Sequence, residues 1–431
     1  MPSIPLLARA KSYYARLPAA RAYLERHGLR MTLLRVLDVL VRESALDSVA
    51  AANQWLDKAR GVNVATDARH FGRPSVAIIG ALDLPQCKKY RVMQKIEELA
   101  AHGCGTVVSS HFDVPRSFDV LQLATAVIFY RVPDGDVFRG YVEEARRLGL
   151  PVFYDIDDPV FCRTIYESNA NLKTLAPAER AHLLDDSRRY LAAMQQCDAA
   201  ILSTPGLALV ARTYLEGKPV HVWRNAIDAE LLSIGADLRA TPTGRRDGSL
   251  RIGYMSGSRA HDLDFELIAG ALAATLRRFP HVSLTIAGHA GIPDALKPFE
   301  ARIFVRPFSS YRGYLGAVAD TDIVVIPLLA DTFNACKSAI RYLEAALLEV
   351  PCVISPVGDF LNVARHGETA LFAEGEADWA FCLADLIESA DRRRRIGQAA
   401  RTDVLARQTT RAIAETLDPA LLDTIKGRAH V

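Results

Sequence analysis

Several ingredients are missing from this sequence, and each absence removes a class of protein. No two cysteines form a CxxC pair; the seven present (Cys87, Cys104, Cys162, Cys197, Cys336, Cys352 and Cys382) are scattered and odd in number. Neither a disulfide framework nor a zinc site is built that way, and the pattern fits a reducing, cytoplasmic compartment. No window approaches the roughly 18 uninterrupted apolar residues of a membrane span. Arg9 and Lys11 break the apolar start that a signal peptide would need. Neither sign of charge dominates: Lys+Arg number 52 against 50 Asp+Glu, without the basic excess of a dedicated nucleic-acid binder. The phosphate-loop and dinucleotide glycine motifs are absent. The 11 histidines show no HExxH or other metal-ligand spacing, and no Ser/His/Asp order stands out.

What is present is length and apolar material. A chain of 431 residues with 50% apolar composition exceeds one ordinary core and suits two α/β domains plus extra segments. Residues 1–70 read as helices, with Leu33, Leu34, Val36, Leu37, Leu40 and Val41 at helical spacing. Arg9, Lys11, Arg16, Arg21, Arg26 and Arg30 mix there with Tyr13, Tyr14 and Tyr23. That extension either packs on the next domain or docks peripherally on the inner face of a membrane or on a partner.

From Arg73 onward, short apolar runs alternate with amphipathic segments such as 92–102 and 136–148. SVAIIG (75–80), GTVVS (105–109), AVIFY (126–130), PVFY (151–154) and AAIL (199–202) are candidate strands. After the polar break TPTGRRDG (241–248) the alternation restarts with LRIGYM (250–255), SLTIA (283–287), ARIFV (301–305), DIVVI (322–326) and PCVI (351–354). Such alternation predicts parallel sheets with right-handed crossovers. The expected architecture is two facing, doubly wound Rossmann-like domains over 71–235 and 246–405, a linker near 230–248, and a helical tail over 406–431. Ligands of such sheets bind outside the carboxyl ends of the strands, here in an interdomain cleft.

Four segments carry residues suited to that cleft. In DTFNACKSAIRYLEAALLEVP (331–351), Thr332 and Asn334 can cap a helix that follows a strand. The helix start offers unpaired N–H groups to an anion, Lys337 adds a point charge and Ser338 a hydroxyl. Glu344, two turns beyond Lys337 on one face, suits ribose hydroxyls; a surface pair with Arg341 is the competing account. In RIGYMSGSRAHDLDF (251–265), Ser256, Gly257 and Ser258 form a turn that a phosphate can approach, and His261 either reaches the same ligand or caps the helix. Asp155, Asp157 and Asp158 end a strand before Pro159, where they suit Mg²⁺, acceptor hydroxyls or a general base, or simply make a turn. Tyr90 and Arg91, in CKKYR (87–91), face the same cleft or form a solvated basic turn.

These segments resemble the family 4 glycosyltransferases of GT-B fold, especially bacterial surface-polysaccharide members, over about residues 74–405. The carriers are RIGYMSGSRAHDLDF, VRPFSSYRGYLGAVADTDIVVIPL, FNACKSAIRYLEAALLEVPCVIS and HGETALFAEGEADWA, with CKKYRV, YDIDDPVF and WRNAID adding less specific matches. The resemblance implies a retaining transfer from a nucleotide-diphosphate sugar to a glycan or lipid-linked acceptor, in polysaccharide or glycoconjugate synthesis. It places the donor in the C-terminal half, on Ser256, Gly257, Ser258, His261, Asn334, Lys337, Ser338 and Glu344. Arg306, Pro307 and Phe308 would flank the base, and Asn225 would sit at the interdomain crossing. The acceptor falls to Tyr90, Arg91, Asp155 and Asp157. Catalysis would rest on Lys337, Glu344 and Asp157, with no cofactor and no metal required. Many family members carry two glutamates eight positions apart, and Cys336 stands where the first would fall. A nucleotide-sugar 2-epimerase and a non-catalytic nucleotide-sugar or glycan binder share the architecture and stand as alternatives.

Overall fold

The computed structural model describes residues 74–427, apart from 84, 175, 241–248, 257–261, 289 and 308–309. It also describes residues 21, 24, 25, 29, 32, 33, 36 and 37, which are helical. The extension expected over 1–70 therefore lies almost wholly outside the described residues. Among those described, no helix is long and apolar enough to cross a membrane.

Among the described residues, the apolar runs form two sheets of six strands. The first holds β1 (Ser75–Gly80), β2 (Gly105–Ser110), β3 (Ala126–Tyr130), β4 (Val152–Ile156), β5 (Ala199–Leu202) and β6 (Val220–Val222), in the order β2-β1-β3-β4-β5-β6. The second holds β7 (Leu250–Ser256), β8 (Val282–Gly288), β9 (Ile303–Arg306), β10 (Ile323–Ile326), β11 (Cys352–Ile354) and β12 (Leu371–Phe372), in the order β12-β11-β10-β7-β8-β9. Every pairing is parallel. The runs are apolar at successive positions because helices cover both faces of a parallel sheet. In β1 and β3 the pleat sends Ala77, Ile79, Val127 and Phe129 into one apolar cluster and Val76, Ile78, Ala126 and Ile128 into the other.

Strand order places the ligand crevices. Order reverses between β1 and β3 in the first sheet and between β7 and β10 in the second, and crevices open where it reverses. On the other side of β7, close packing against the end of β8 is enforced at Gly288, whose φ of +105° suits glycine and where a Cβ would lie 1.8 Å from the Ser256 carbonyl.

One expectation about the connections needs correction. The segment near 230–248 is no simple linker, because Ala229–Ala240 is a helix whose Leu231 and Ile234 join the core of the second domain. The chain crosses earlier, over 223–228. It crosses back near Gln408, where Ile227 donates to the Gln408 carbonyl (2.7 Å) and Thr410 to that of Ile227 (3.0 Å). The tail is helical at Thr410–Glu415 and Pro419–Ile425, and its Ile413, Leu421 and Ile425 complete the core behind β1 and β3. β6 and β12 were not expected; runs of two or three residues give no periodic signal.

Candidate functional site

A cleft of about 210 Å³ opens between the two domains at the carboxyl ends of the sheets. Tyr90, Asp157 and Asp158 line it from the first domain, and Tyr311, Lys337, Ser338, Arg341 and Glu344 from the second. The topology thus brings together residues that lie far apart in sequence.

On the first-domain side, a π-helical turn at Lys89–Met93 precedes the helix Gln94–Ala101. It turns Arg91 inward, against the expectation that Arg91 meets an acceptor. Its guanidinium grips Asp155 with two bonds, Nε–Oδ1 at 2.9 Å and Nη2–Oδ2 at 3.0 Å. Lys95 closes on the same carboxylate at 2.7 Å. All three are at most 1% exposed, so Asp155 too is corrected from acceptor ligand to buried counter-ion. Burial lowers the Lys95 ammonium to about 8, and it raises the neighbouring Glu98 carboxyl to about 8. Glu98 accepts from the Trp223 indole, and Arg91 Nη1 donates to the Trp223 carbonyl and to Asn225 Oδ1, so this network braces the crossing segment. Asn225 passes it on across the domains, donating to Ser338 Oγ at 3.0 Å.

Asp157 does face the cleft. Its carboxylate meets Tyr130 Oη (3.2 Å) and Arg131 (3.4 Å) at the end of β3, and burial pushes it above the usual aspartate range despite Arg131. Arg131 adopts a φ of 49°, uncommon for a residue with a side chain, at the first sheet's switch point.

On the second-domain side, the segment after β10 departs from the expected continuous helix. Asp331, not Thr332 or Asn334, caps the short turn Asn334–Cys336, with Oδ1 accepting from the Asn334 amide at 2.7 Å. Lys337 is extended (φ −71°, ψ 144°) and the helix runs only from Ile340 to Leu347. The two-turn spacing expected between Lys337 and Glu344 therefore does not exist; they meet at one cleft by a different path. Asn334 is 1% exposed and its amide donates to Asp264 (3.3 Å) and to the Leu329 carbonyl (3.0 Å), so it shapes the loop. Two glycines admit this loop between the domains. A Cβ at Gly206 of the first domain would sit 2.6 Å from the Ala335 carbonyl, and one at Gly358 would sit 2.7 Å from that of Asn334.

The loop turns Cys336 away from the cleft. With Phe333 it packs into the first domain's apolar cluster, and Phe333 stacks on Tyr166 at 5.8 Å. Its thiol donates to the Thr332 carbonyl at 3.4 Å, and burial raises it to about 12. It has neither the direction nor the charge of a reacting group.

Glu344 is buried, contrary to the surface pair with Arg341. Oε1 accepts from Tyr90 (2.7 Å) and Tyr311 (2.6 Å), and Oε2 from Tyr314 (2.8 Å). The Tyr90 and Tyr311 hydroxyls are themselves 2.6 Å apart. Burial raises this carboxyl above the usual glutamate range, and three phenolic donors offset only part of that rise. Tyr90 belongs to the first domain, so this is a hydrogen-bonded clasp across the cleft. Arg341 instead lines the cleft and donates to the Met255 carbonyl at the end of β7 (3.4 Å).

The remaining expected residues fall as follows. Ser256 ends β7, buried, at the second switch point. Gly257, Ser258, His261 and Phe308 lie outside the described residues. Arg306 ends the edge strand β9 and pairs with Asp320 at 2.9 Å, apart from the residues that line the cleft. Sequence reasoning missed Tyr311, Tyr314 and Arg131. The i,i+3 spacing of the two tyrosines in YRGYLG puts them on one helical face, a signal available without coordinates. Nothing in the sequence marks Arg131.

The cleft joins a cationic pair, Lys337 and Arg341, to hydroxyls and carboxylates from both domains, which suits a polyhydroxylated anion. Two facing Rossmann-like domains of this order, linked by a double crossing, constitute the GT-B fold. The solved structure of HepE from Anabaena, in complex with UDP-glucose, superposes with a TM-score of 0.55 at 13% identity, covering 80% of this chain and 99% of that one. Sucrose-phosphate synthase from Thermosynechococcus elongatus gives 0.54 at 14% identity, covering 80% and 97%. A family model described as glycosyl transferase-like matches residues 269–418. Among curated proteins, the D-inositol 3-phosphate glycosyltransferase of Stackebrandtia nassauensis is 26% identical over 254 residues. That match takes in 54% of this chain and 56% of the relative, so the chain spans little more than half of that relative's length. The fold is GT-B, and the family and curated matches support a glycosyltransferase.

Proposed function

We propose that this protein transfers a sugar from a nucleotide-diphosphate sugar to a hydroxyl of a glycan or lipid-linked acceptor. The transfer proceeds with retention, as in family 4 enzymes of bacterial surface-polysaccharide synthesis, and the sugar is a hexosyl or deoxyhexosyl unit. The observation that carries this reading is the interdomain cleft, where Lys337, Ser338, Arg341 and Glu344 of one domain face Asp157, Asp158 and Tyr90 of the other. The neighbours' UDP-sugar complexes and the glycosyltransferase relative support the donor class.

In this reading Lys337, Arg341 and the Ser338 hydroxyl hold the diphosphate and stabilise the charge that grows on it as the glycosidic bond breaks. The ribose hydroxyls go to Glu344 Oε1, where two hydroxyls 2.6 Å apart already show that the oxygen takes a pair of donors. Ligand sites span roughly 300–1,000 Å³, so a cleft of about 210 Å³ has to widen for a nucleotide sugar. Widening breaks the Tyr90–Glu344 bond and couples donor binding to domain position. The cationic pair supplies the charge that a metal would otherwise bring, so transfer is expected to survive chelation. The acceptor enters from the first domain, beside Asp157.

One observation favours a second reading, a non-catalytic nucleotide-sugar or glycan binder: Cys336 faces an apolar cluster instead of the cleft. A thermal-shift screen against UDP-, GDP-, dTDP- and CMP-sugars, followed by a donor-hydrolysis assay, separates the two. Stabilisation by one donor with turnover supports transfer, and stabilisation without turnover supports the binder. No stabilisation by any donor or free nucleotide would sink both.

A further inference from the structure

Asp158 and Lys337 face each other from opposite domains, with Oδ1 and Nζ 3.7 Å apart. Both line the cleft, and their side chains are 29% and 20% exposed. The proline that follows Asp158 excludes helical backbone there, and the residue is extended (φ −132°, ψ 156°). That conformation carries the carboxylate away from β4 and towards the second domain. Asp157, one residue earlier, instead turns back to Tyr130 and Arg131. Glu344 is enclosed by its three tyrosines, and the side chain at 336 lies in the apolar cluster of the first domain.

We propose that Asp158 is the carboxylate that faces the donor sugar and stabilises the positive charge of its transition state. The proposal rests on the glycosyltransferase reading above and deepens it. Glycosyl transfer passes through a sugar with oxocarbenium character. The bond from the anomeric carbon to the diphosphate oxygen breaks, and its electron pair leaves with the nucleoside diphosphate. A bond forms from the acceptor oxygen to the anomeric carbon, and the acceptor's proton passes to the departing phosphate oxygen. Negative charge therefore grows beside Lys337 while positive charge grows on the sugar, a few ångströms nearer the first domain. Asp158 stands on that side. Without donor, the ammonium rests near Asp158 and over the Phe333 ring, 5.0 Å from its centroid. A diphosphate draws Lys337 to itself, and the sugar then lies between the two groups. The carboxylate acts through the charge it already carries, without taking a proton.

The test compares Asp158→Asn, Asp157→Asn and Cys336→Ala in the full chain. UDP-glucose is the first probe, and the best stabiliser from the nucleotide-sugar screen replaces it if different. Donor affinity is read by calorimetry, turnover by release of nucleoside diphosphate, and folding by the melting temperature. Asp158→Asn is expected to melt as the wild type and bind donor within about threefold. Its kcat should fall about 100-fold or more, as for loss of one preorganised charge partner. Asp157→Asn should lose less, and Cys336→Ala should keep turnover within about threefold. A kcat for Asp158→Asn within about threefold of wild type overturns the proposal. So does an effect confined to donor affinity, which would mean that Asp158 only positions Lys337. Failure of the underlying reading looks different, since the wild type itself would then show no turnover of any donor in the screen, whether or not it binds one.

Discussion

Replacing Tyr90 with phenylalanine should move two measured quantities in opposite directions. The ring is buried at 5% exposure and meets Tyr311 edge-on at 6.5 Å, packing that phenylalanine keeps. Only the hydroxyl goes, and with it the 2.7 Å bond to Glu344 Oε1 and the 2.6 Å contact with the Tyr311 hydroxyl. A hydrogen bond to a charged group contributes about 1.5–3 kcal/mol. The Tyr311 hydroxyl keeps its own 2.6 Å bond to Oε1, so the carboxylate is not left bare. Stability of the unliganded protein should therefore fall by about 1.5–3 kcal/mol, read by chemical denaturation. If donor ribose replaces Tyr90 on Oε1, the wild type breaks this bond on binding and the variant has none to break. About 1.4 kcal/mol corresponds to a factor of ten. The variant should then bind the nucleotide selected by the screen about tenfold tighter or more in calorimetry. Lower stability with unchanged or weaker affinity would refute the reasoning, because Tyr90 would still hold Glu344 in the complex.

Other substitutions probe the frame around the cleft. Asp155→Asn leaves Arg91 and Lys95 buried without their shared anion, and removing one partner of a buried pair costs about 3–5 kcal/mol; a loss below about 1 kcal/mol in urea unfolding would contradict the network. Lys337→Ala should weaken binding of the selected nucleotide diphosphate about tenfold or more while the melting temperature of the free protein stays within a few degrees, and unchanged affinity removes Lys337 from the diphosphate site. Glu98 keeps its proton to about pH 8, against an ordinary value of 4.5. The folded state thus binds more protons than the unfolded chain between those values, and this group's contribution falls as pH rises from 4.5 towards 8. Glu98→Gln should gain stability relative to wild type across that window, and a pH-independent difference would contradict the raised value.

The two domains were legible because buried parallel strands write themselves as short apolar runs at regular intervals. SVAIIG and AVIFY needed nothing but their own residues to be read. The short edges β6 and β12 did not announce themselves, since they are specified by the neighbours they pair with. The donor-side segment was found from its chemistry, Lys337 with Ser338 and Glu344, but its backbone was misread as one helix. Asp331 caps a separate turn there, and packing between Gly206 and Gly358 holds the loop extended. Arg91 and Asp155 were located but assigned to an acceptor in the cleft, although they form the most buried ion pair of the site.

The sequence by itself determined the class of fold, the position of its strands, and which stretches carry charge and hydroxyls at strand ends. Local periodicity is enough for that, because burial on one face or two is a property of each segment. Only the tertiary structure decided which way those side chains point. It turned Arg91 inward and Asp158 outward, sent Cys336 into the neighbouring domain, and closed Tyr90 onto Glu344 from 254 residues away. Contacts between domains depend on how two sheets and their crossing segments come together, and no local pattern encodes the partner on the other side.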